Sequence, residues 1–206
     1  MGTKKESPEK RRNQILDAAM DVFARRGFHK ARMDDIVRES GLSKGAIYWY
    51  FKSKDAIIAA ILDRIFSREQ KALKEALAAE GSVAGRLEDL VRRSARHTLS
   101  LRFSIPLMFE FYALAARHEQ VRAALQRYYA AYRTDLARLI QEGVDSSEFA
   151  PVDADKMALA IIAEFEGLIL LWVVDSTKVN LEEDALRSLR LLVGSVLWKE
   201  SSEAIT

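Results

Sequence analysis

Residues 43–54, SKGAIYWYFKSK, combine a cation, a glycine and large aromatic side chains on what their pattern predicts to be a short helix. Lys44 supplies positive charge near its start, and Tyr48 and Trp49 offer flat faces together with polar atoms. Glycine inside a helix lowers the stability of the helix by about 1 kcal/mol relative to alanine. Its presence at position 45 is explained if another molecule approaches the helix closely there. This chemistry suits a helix that contacts phosphates, sugars and base edges in the major groove of DNA.

Each of these residues also has a plainer interpretation inside a folded protein. The aromatic run from Tyr48 to Phe51 can form a core cluster, which is the better interpretation for Phe51. Taken one at a time, Lys44, Lys52 and Lys54 are more often solvated surface residues. The residues therefore need a structural setting before they indicate a nucleic-acid contact.

That setting is a predicted pair of short helices behind a longer one. Apolar residues at three- and four-residue spacing predict a first helix over residues 8–27. A second helix over residues 33–40 would bury Ile36, and a third over residues 44–50 would bury Ile47 against it. Two short helices joined by a glycine-containing turn are the sequence form of a helix-turn-helix.

A longer fourth helix, capped by Ser53 and ending at Gly81, connects this head to the rest of the chain. Further helices are predicted at about residues 83–100, 105–117, 119–142, 154–176 and 182–199. The chain is therefore predicted to be all-α, with about nine helices. Its expected domains are a three-helix helix-turn-helix over residues 1–54 and a larger helical bundle over residues 55–206.

Charge is distributed unevenly along the 206 residues, although the formal net charge is only +2. Residues 1–54 carry 13 Lys and Arg against 7 Asp and Glu, whereas residues 55–206 carry 19 against 23. A basic first quarter attracts a polyanion and an acidic remainder does not, so the asymmetry favours nucleic acid as a partner.

Several classes of chemistry are disfavoured by what the composition lacks. The chain contains no cysteine, which excludes disulfides, thiolate zinc sites and cysteine nucleophiles. His29, His97 and His118 show no metal-ligand spacing, and neither a phosphate loop nor a nucleophile elbow is present. We therefore expect no enzymatic activity, no metal and no cofactor. The basic N-terminus is not followed by an apolar secretory segment, so a cytoplasmic protein is expected.

The stretch ILDAAMDVFARRGFHKARMDDIVRESGLSKGAIYWYFKSKDAIIAAIL resembles the N-terminal DNA-binding domain of the TetR family, with its RGF turn, DDI second helix, SKG opening and Y-x-x-F-K-S-K close. Trp49-Tyr50 stands where tyrosine and histidine are commoner, and Arg32 where a small hydroxyl residue is usual. The resemblance implies a dimeric, ligand-responsive repressor that binds a palindromic operator. The candidate DNA-binding residues are Arg32, Ser43, Lys44, Gly45, Ala46, Tyr48, Trp49, Tyr50, Lys52 and Lys54.

Residues 157–174 form the most apolar segment of the chain, but Glu164 and Glu166 interrupt it near its middle. Because a charge inside a bilayer is costly, a membrane span is disfavoured, and burial against a second copy of the chain is the simpler prediction. Pairing this helix and the last one with their copies would form a four-helix dimer interface, although both stripes can instead pack within one chain. The candidate interface residues are Leu171, Val174, Leu189, Leu192, Val193, Val196 and Leu197.

Aromatic residues concentrate in the middle of the predicted bundle, where most must belong to the core. The run EFYALAARHEQVRAAL is loosely similar to the C-terminal domain of the BetI-type subgroup, which implies a small-molecule effector. The lining of such a site predicts an apolar or aromatic effector, and a carboxylate in it would favour a cation. The candidate ligand-binding residues are His97, Phe103, Phe109, Tyr112, Tyr128, Tyr132, Glu164, Phe165 and Leu168.

Two other functions compete with a repressor: a helical enzyme and a helical adaptor whose head binds protein. The absence of catalytic motifs disfavours the first. Titration with random duplex DNA at two salt concentrations separates the adaptor from a repressor, because a DNA-binding head must bind without sequence preference and with steep salt dependence.

Overall fold

The computed structural model describes residues 7–101, 105–194 and 196–197, except for the side chains of residues 106 and 107. These residues form nine α-helices and no β-strand, which confirms the predicted fold class. The helices are α1 (Pro8–Lys30), α2 (Met33–Ser40), α3 (Lys44–Tyr50), α4 (Lys54–Ala78), α5 (Val83–Ser100), α6 (Ile105–Ala115), α7 (Glu119–Asp145), α8 (Ala154–Val174) and α9 (Leu181–Gly194).

Several helices start where the sequence places a serine. The Ser7 hydroxyl accepts the N–H of Lys10, and the Ser82 hydroxyl accepts the N–H of Gly85. The predicted cap at Ser53 is also present, because its hydroxyl accepts the N–H of Ala56 at 3.1 Å. Each hydroxyl satisfies a first-turn donor that has no partner inside its helix.

Helix α1 continues for one turn beyond Gly27, where the sequence predicts its end. Gly27 has φ 68° and ψ 159°, so the helix is interrupted there and not terminated. The interruption releases the N–H of Phe28, which donates to Oε1 of Glu110 on α6 at 2.7 Å. A side chain other than glycine at position 27 would be strained by the positive φ.

Contacts between residues divide the chain into two compact units. The first comprises residues 1–66 and 103–128, and its core contains Phe23, Ile36, Ile47 and Phe111. The rings of Phe23 and Phe111 meet edge to face with their centroids 6.4 Å apart. Helix α6 and the first part of α7 therefore belong to the same unit as the helix-turn-helix.

The second unit comprises residues 67–102 and 129–206, and α9 packs within it against α5 and α8. Arg86, which is buried, donates to the carbonyls of Ala76 and Ala79 near the end of α4 and pairs with Glu142. A guanidinium there satisfies carbonyls that have no partner inside α4. The Glu148 carboxylate likewise accepts two N–H groups from the first turn of α5.

The predicted domain boundary lies at residue 54, whereas the first compact unit extends to residue 66 and also includes residues 103–128. The predicted boundary separates two functions, whereas the units report compactness, so the assignment of functions to residues 1–54 and 55–206 stays a prediction.

Helix α8 is long and apolar enough to cross a membrane by length and composition, and few of its residues are buried. Its exposed apolar side chains include Leu170 and Leu171. Exposed apolar side chains of this kind are typical of a surface that another molecule covers.

Candidate nucleic-acid interface

Helix α3 is fixed to the first unit by one face only. Ile47 is fully buried, and Phe51, directly after the helix, is buried as well. The Ser43 hydroxyl accepts the N–H of Ala46 at 3.2 Å and so caps the helix. Burial of this face leaves the opposite face of α3 to solvent.

The exposed face of α3 presents aromatic side chains. Trp49 is 69% exposed, which is unusual for a tryptophan in a folded protein. The Tyr50 ring meets it at a centroid distance of 4.6 Å and an interplanar angle of 86°. Tyr48 and Tyr50 are both half-buried, so each keeps one side anchored and the other accessible. This arrangement offers rigid flat surfaces to sugars and thymine methyl groups.

The first turn of α3 has an open outer surface. Gly45 is exposed, and a β-carbon built on it would meet no atom within 4 Å. Internal packing therefore does not require glycine at this position. Ala46, half-buried, follows it with the smallest side chain that has a β-carbon. A partner's backbone can approach this turn closely.

Lys44 and Lys52 both lie on the surface, but neither ammonium is unpaired. Nζ of Lys44 lies 2.9 Å from Oδ1 of Asp34 and 6.0 Å from the centre of the Tyr48 ring. Nζ of Lys52 donates to the carbonyl of Tyr48 at 2.6 Å. The Asp34 carboxylate raises the pKa of Lys44, so its positive charge is secure at neutral pH.

The side chain of Lys54, a predicted DNA-binding residue, is engaged within the first unit, so its contact with DNA stays a prediction. Its ammonium donates to the carbonyls of Phe28 at 2.8 Å and Ala31 at 2.7 Å, and it lies 4.2 Å from the centre of the Phe28 ring. Partial burial lowers the pKa of Lys54. The lysine holds the end of α1 in place, because the carbonyls there lack partners within the helix.

Arg32 occupies the N-cap position of α2 and is exposed. Unlike a small hydroxyl residue, an arginine side chain cannot accept an N–H at this position. The Asp35 carboxylate instead accepts the N–H of Arg32 at 2.9 Å. The guanidinium is therefore not needed for capping and is available to an external anion.

Asp34 belongs to this surface through its contact with Lys44, although it is not among the predicted DNA-binding residues. It lies ten positions before Lys44 on a different helix, so helical periodicity gives no signal of the contact. Only the packing of α2 against α3 brings the two charges together.

The predicted ligand residues fall into both compact units. Phe109, Tyr112 and Tyr128 belong to the first, where Tyr128 stacks on Phe66 with centroids 3.7 Å apart. Phe103 belongs to the predicted set but lies outside the described residues.

In the second unit, His97 and Tyr132 share a polar cluster with two residues that the sequence argument missed. Nδ1 of His97 lies 2.6 Å from Oε1 of Glu69, and the Ser94 hydroxyl donates to Oε2 of Glu69 at 2.5 Å. Burial and the nearby Glu69 charge raise the pKa of Tyr132, whereas a hydrogen bond with Ser94 lowers it, so the phenol stays protonated. Glu69 interrupts the apolar stripe of α4 between Phe66 and Leu73, which is the sequence signal that could have identified it.

Glu164, Phe165 and Leu168 lie together on α8, and the latter two pack against the core of the second unit. Oε1 of Glu164 is buried and has no hydrogen-bond partner among the described residues. Desolvation raises the pKa of Glu164, and a hydrogen bond with Ser188 opposes that shift.

The predicted dimer residues divide into exposed and buried sets. Leu171, Val174 and Leu197 are exposed, and Leu192 and Val196 are half-buried. Leu189 and Val193, however, are buried within the chain, so they offer almost no surface to a partner and their prediction as contacts is corrected.

The inward stripe of α9 explains this difference. The buried residues Leu181, Ala185, Leu189 and Val193 recur at four-residue spacing on the side that faces the core of the second unit. Leu191, which the sequence argument omitted, lies outside that stripe and is 77% exposed.

Two family models match the chain. The model of bacterial regulatory proteins of the tetR family matches residues 15–61, and that of the BetI-type transcriptional repressor C-terminal domain matches residues 83–194. Both predicted resemblances are thereby confirmed.

Individual proteins agree with the family models. YfiR of Bacillus subtilis (strain 168), an uncharacterised HTH-type transcriptional regulator, is 34% identical over 166 residues, which cover 78% of this chain and 77% of YfiR. The structure of SmeT with triclosan superposes with a TM-score of 0.82 at 19% identity and covers 93% of both chains; SmeT represses the Stenotrophomonas maltophilia multidrug efflux pump SmeDEF. FadR from Bacillus subtilis with stearoyl-CoA gives a TM-score of 0.75 at 22% identity, covering 88% of this chain and 97% of FadR. The solved structures show that the fold is shared, and the family models and YfiR show homology. The chain belongs to the TetR family of DNA-binding transcriptional regulators with an N-terminal helix-turn-helix.

Proposed function

We propose that this regulator is a cytoplasmic repressor that binds a palindromic operator as a homodimer and leaves it when a small molecule binds residues 55–206. The observation that carries the DNA-binding part is the outer face of α3. It combines the exposed Trp49, the half-buried Tyr48, the charged Lys44 and a glycine with empty space around it.

The electrostatic experiment uses a mixed-sequence duplex titrated at about 50 and about 200 mM salt, because phosphate contacts release counterions. Wild-type protein should bind, and its affinity should fall steeply with salt. Replacing Lys44 with glutamine should weaken binding to every sequence and flatten the salt dependence. No binding to mixed-sequence duplex at low salt would show that the head has another partner, such as a protein.

Operator recognition is tested by selecting duplexes from a randomised pool with the wild-type protein. We expect a palindrome whose half-sites lie about one helical turn, roughly 34 Å, apart. Tyr48→Ala should shift the selected sequence, whereas Lys44→Gln should leave it unchanged. The repressor role is tested with a reporter gene whose promoter lies beside the selected site. The protein should lower expression of that reporter.

The exposed apolar surface of α8 and α9 supports the homodimer. Leu171, Val174, Leu191 and Leu197 are large side chains left to water in one chain. A second copy would cover the same residues on both sides, as two-fold symmetry requires. A dimer also supplies the two recognition helices that a palindrome needs.

The Glu69, Ser94, His97 and Tyr132 cluster supports an effector site in the second unit, because small-molecule sites set a few polar groups among apolar and aromatic ones. We propose an apolar or aromatic effector, with its cationic form favoured by carboxylates such as Glu69. Two proteins of the same fold are bound to triclosan and to stearoyl-CoA, which contain aromatic rings and a long acyl chain respectively, and this supports an effector with an apolar part. A thermal-shift panel of triclosan, stearoyl-CoA and aromatic quaternary ammonium compounds tests the proposal. The effector should raise the melting temperature and release the selected duplex; a ligand that stabilises without release would contradict the proposed mechanism.

A further inference from the structure

Lys44, a cation of the surface that we propose binds DNA, is already paired with the Asp34 carboxylate. The two side chains lie 2.9 Å apart and are 62% and 64% exposed, so both charges are open to solvent and to a docking phosphate. Lys44 opens α3, and Asp34 lies in the first turn of α2. A phosphate that approaches the Lys44 ammonium therefore also approaches the Asp34 carboxylate.

The neighbouring carboxylate has a different role. Asp35 is largely buried, accepts the N–H of Arg32 and pairs with Arg26 at 3.1 Å and with Arg38 at 3.8 Å. Asp35 thus stabilises the start of α2. Among the residues that the structure describes, Asp34 instead forms an ion pair with Lys44.

Asp34 remains ionised at neutral pH. A hydrogen bond from Lys44 and the charge of that lysine hold the pKa of Asp34 below its usual value. The negative charge of Asp34 is consequently present when DNA binding is measured near neutral pH.

We propose that Asp34 is an intramolecular competitor of DNA phosphate for the Lys44 ammonium, and that it lowers the affinity of the head for DNA of any sequence. The inference rests on the proposed DNA contact of α3 and adds a residue that sets its strength. When phosphate approaches, Lys44 must give up part of its pairing with Asp34, and the freed carboxylate repels the same phosphate. Both effects oppose association.

The expected size follows from one charge close to the interface. In water, two unit charges about 5 Å apart interact strongly enough to change an equilibrium roughly fourfold. Asp34→Asn should therefore tighten binding to a mixed-sequence duplex roughly three- to tenfold at low salt. Its plot of log affinity against log salt should become steeper by at most about 0.9, the slope of one phosphate contact, because Lys44 then pairs with phosphate without competition.

The test is a double-mutant cycle with Asp34→Asn, Lys44→Gln and the double variant, measured by fluorescence anisotropy on the same mixed-sequence duplex. If Asp34 competes for Lys44, the gain from Asp34→Asn is larger with lysine at position 44 than with glutamine. If Asp34→Asn raises the affinity equally with lysine and with glutamine at position 44, Asp34 acts only as a nearby charge and the proposed competition is wrong. A loss of affinity in Asp34→Asn would show instead that the aspartate positions the lysine.

Asp17→Asn is the matched control. Asp17 is also exposed and also pairs with a cation at 2.8 Å, but its partner is Arg64 of α4, and neither residue lies on α2 or α3. At the same low salt concentration its removal should tighten DNA binding by less than Asp34→Asn does, because Asp17 does not pair with a cation of the proposed interface. A tightening equal to that of Asp34→Asn would overturn the inference. Wild-type protein that binds no duplex would refute the proposed function itself, whereas binding without any response to Asp34→Asn would refute this inference alone.

Discussion

Gly45 lowers the helical propensity of α3 without any benefit to internal packing. Its β-carbon position is empty, its φ is not in the left-handed region, and the residue is exposed. A helical position of this kind is normally more stable with alanine than with glycine. The glycine is explained if DNA occupies the space beside the first turn of α3.

Gly45→Ala should therefore raise stability and weaken DNA binding in the same protein. We expect the free energy of unfolding to rise by about 0.5–1 kcal/mol in a denaturant titration. We expect affinity for the mixed-sequence duplex to fall about tenfold, which corresponds to about 1.4 kcal/mol. The gain in stability serves as the internal control for folding. Unchanged affinity would mean that α3 does not approach DNA at Gly45.

Glu164 provides a prediction about pH. Burial raises its pKa in the folded state above the unfolded value, so the folded protein holds the proton more tightly. Between the two pKa values, stability must fall as pH rises. Glu164→Gln removes this ionisation and should raise the melting temperature at pH 7.5, with a gain that shrinks as pH falls through the folded-state pKa. A gain that is independent of pH would contradict the assignment.

At the scale of helices, α7 shows how closely two segments pack in the second unit. A β-carbon on Gly143 would lie 2.5 Å from Cδ2 of Phe149, whose ring is buried. The N–H of Phe149 also donates to the Gly143 carbonyl at 2.9 Å, which fixes the ring over the helix. Glycine is needed at this position because the ring fills the volume of a side chain.

Gly143→Ala should lower the free energy of unfolding by about 1–3 kcal/mol, the usual cost of overpacking a core. Gly167→Ala in α8 is the matched control, because the β-carbon position of Gly167 meets no atom within 4 Å. That control should be neutral or stabilising by up to about 1 kcal/mol. Chemical denaturation measures both, and equal effects would contradict the structure around Phe149.

The helices themselves could be predicted closely from the sequence because their signals are local. Ser43 and Ser53 cap helices, and Gly41 ends α2 with φ 67°. Contacts between distant residues could not be predicted in this way. Lys54 has the appearance of a surface cation, and only the fold shows that its ammonium binds the carbonyls of Phe28 and Ala31. The same limit hid the partnership of Asp34 with Lys44.

At the scale of the molecule, the exposed apolar surface of α8 and α9 is the feature on which the proposed homodimer rests. Periodicity identified apolar positions of α9 but not which of them face the core. The structure shows that Leu189 and Val193 face inward and that Leu191 faces solvent. Leu191 is therefore the sharper test of dimerisation.

Leu191→Glu should convert the protein to a monomer without unfolding it. A charge at the centre of an apolar interface has no partner there, whereas in an isolated chain the same side chain lies in water. Analytical ultracentrifugation should give the protomer mass, and affinity for the selected palindrome should fall at least about tenfold. Ala131→Glu, at an exposed position of α7, is the control and should remain dimeric. A dimeric Leu191→Glu protein would place the interface elsewhere.

The contacts of Phe28 determine which residues must be kept when the helix-turn-helix is fused to a different protein. Lys54 secures the Phe28 carbonyl, Glu110 secures its N–H, and the ring of His118 stands 5.3 Å from its own. Two of these three anchors come from far downstream of the helix-turn-helix. A chimera joined at residue 54 would lack Glu110 and His118 and would expose part of the Phe28 ring to water. A chimera that folds should therefore include α6 and the start of α7 together with the helix-turn-helix.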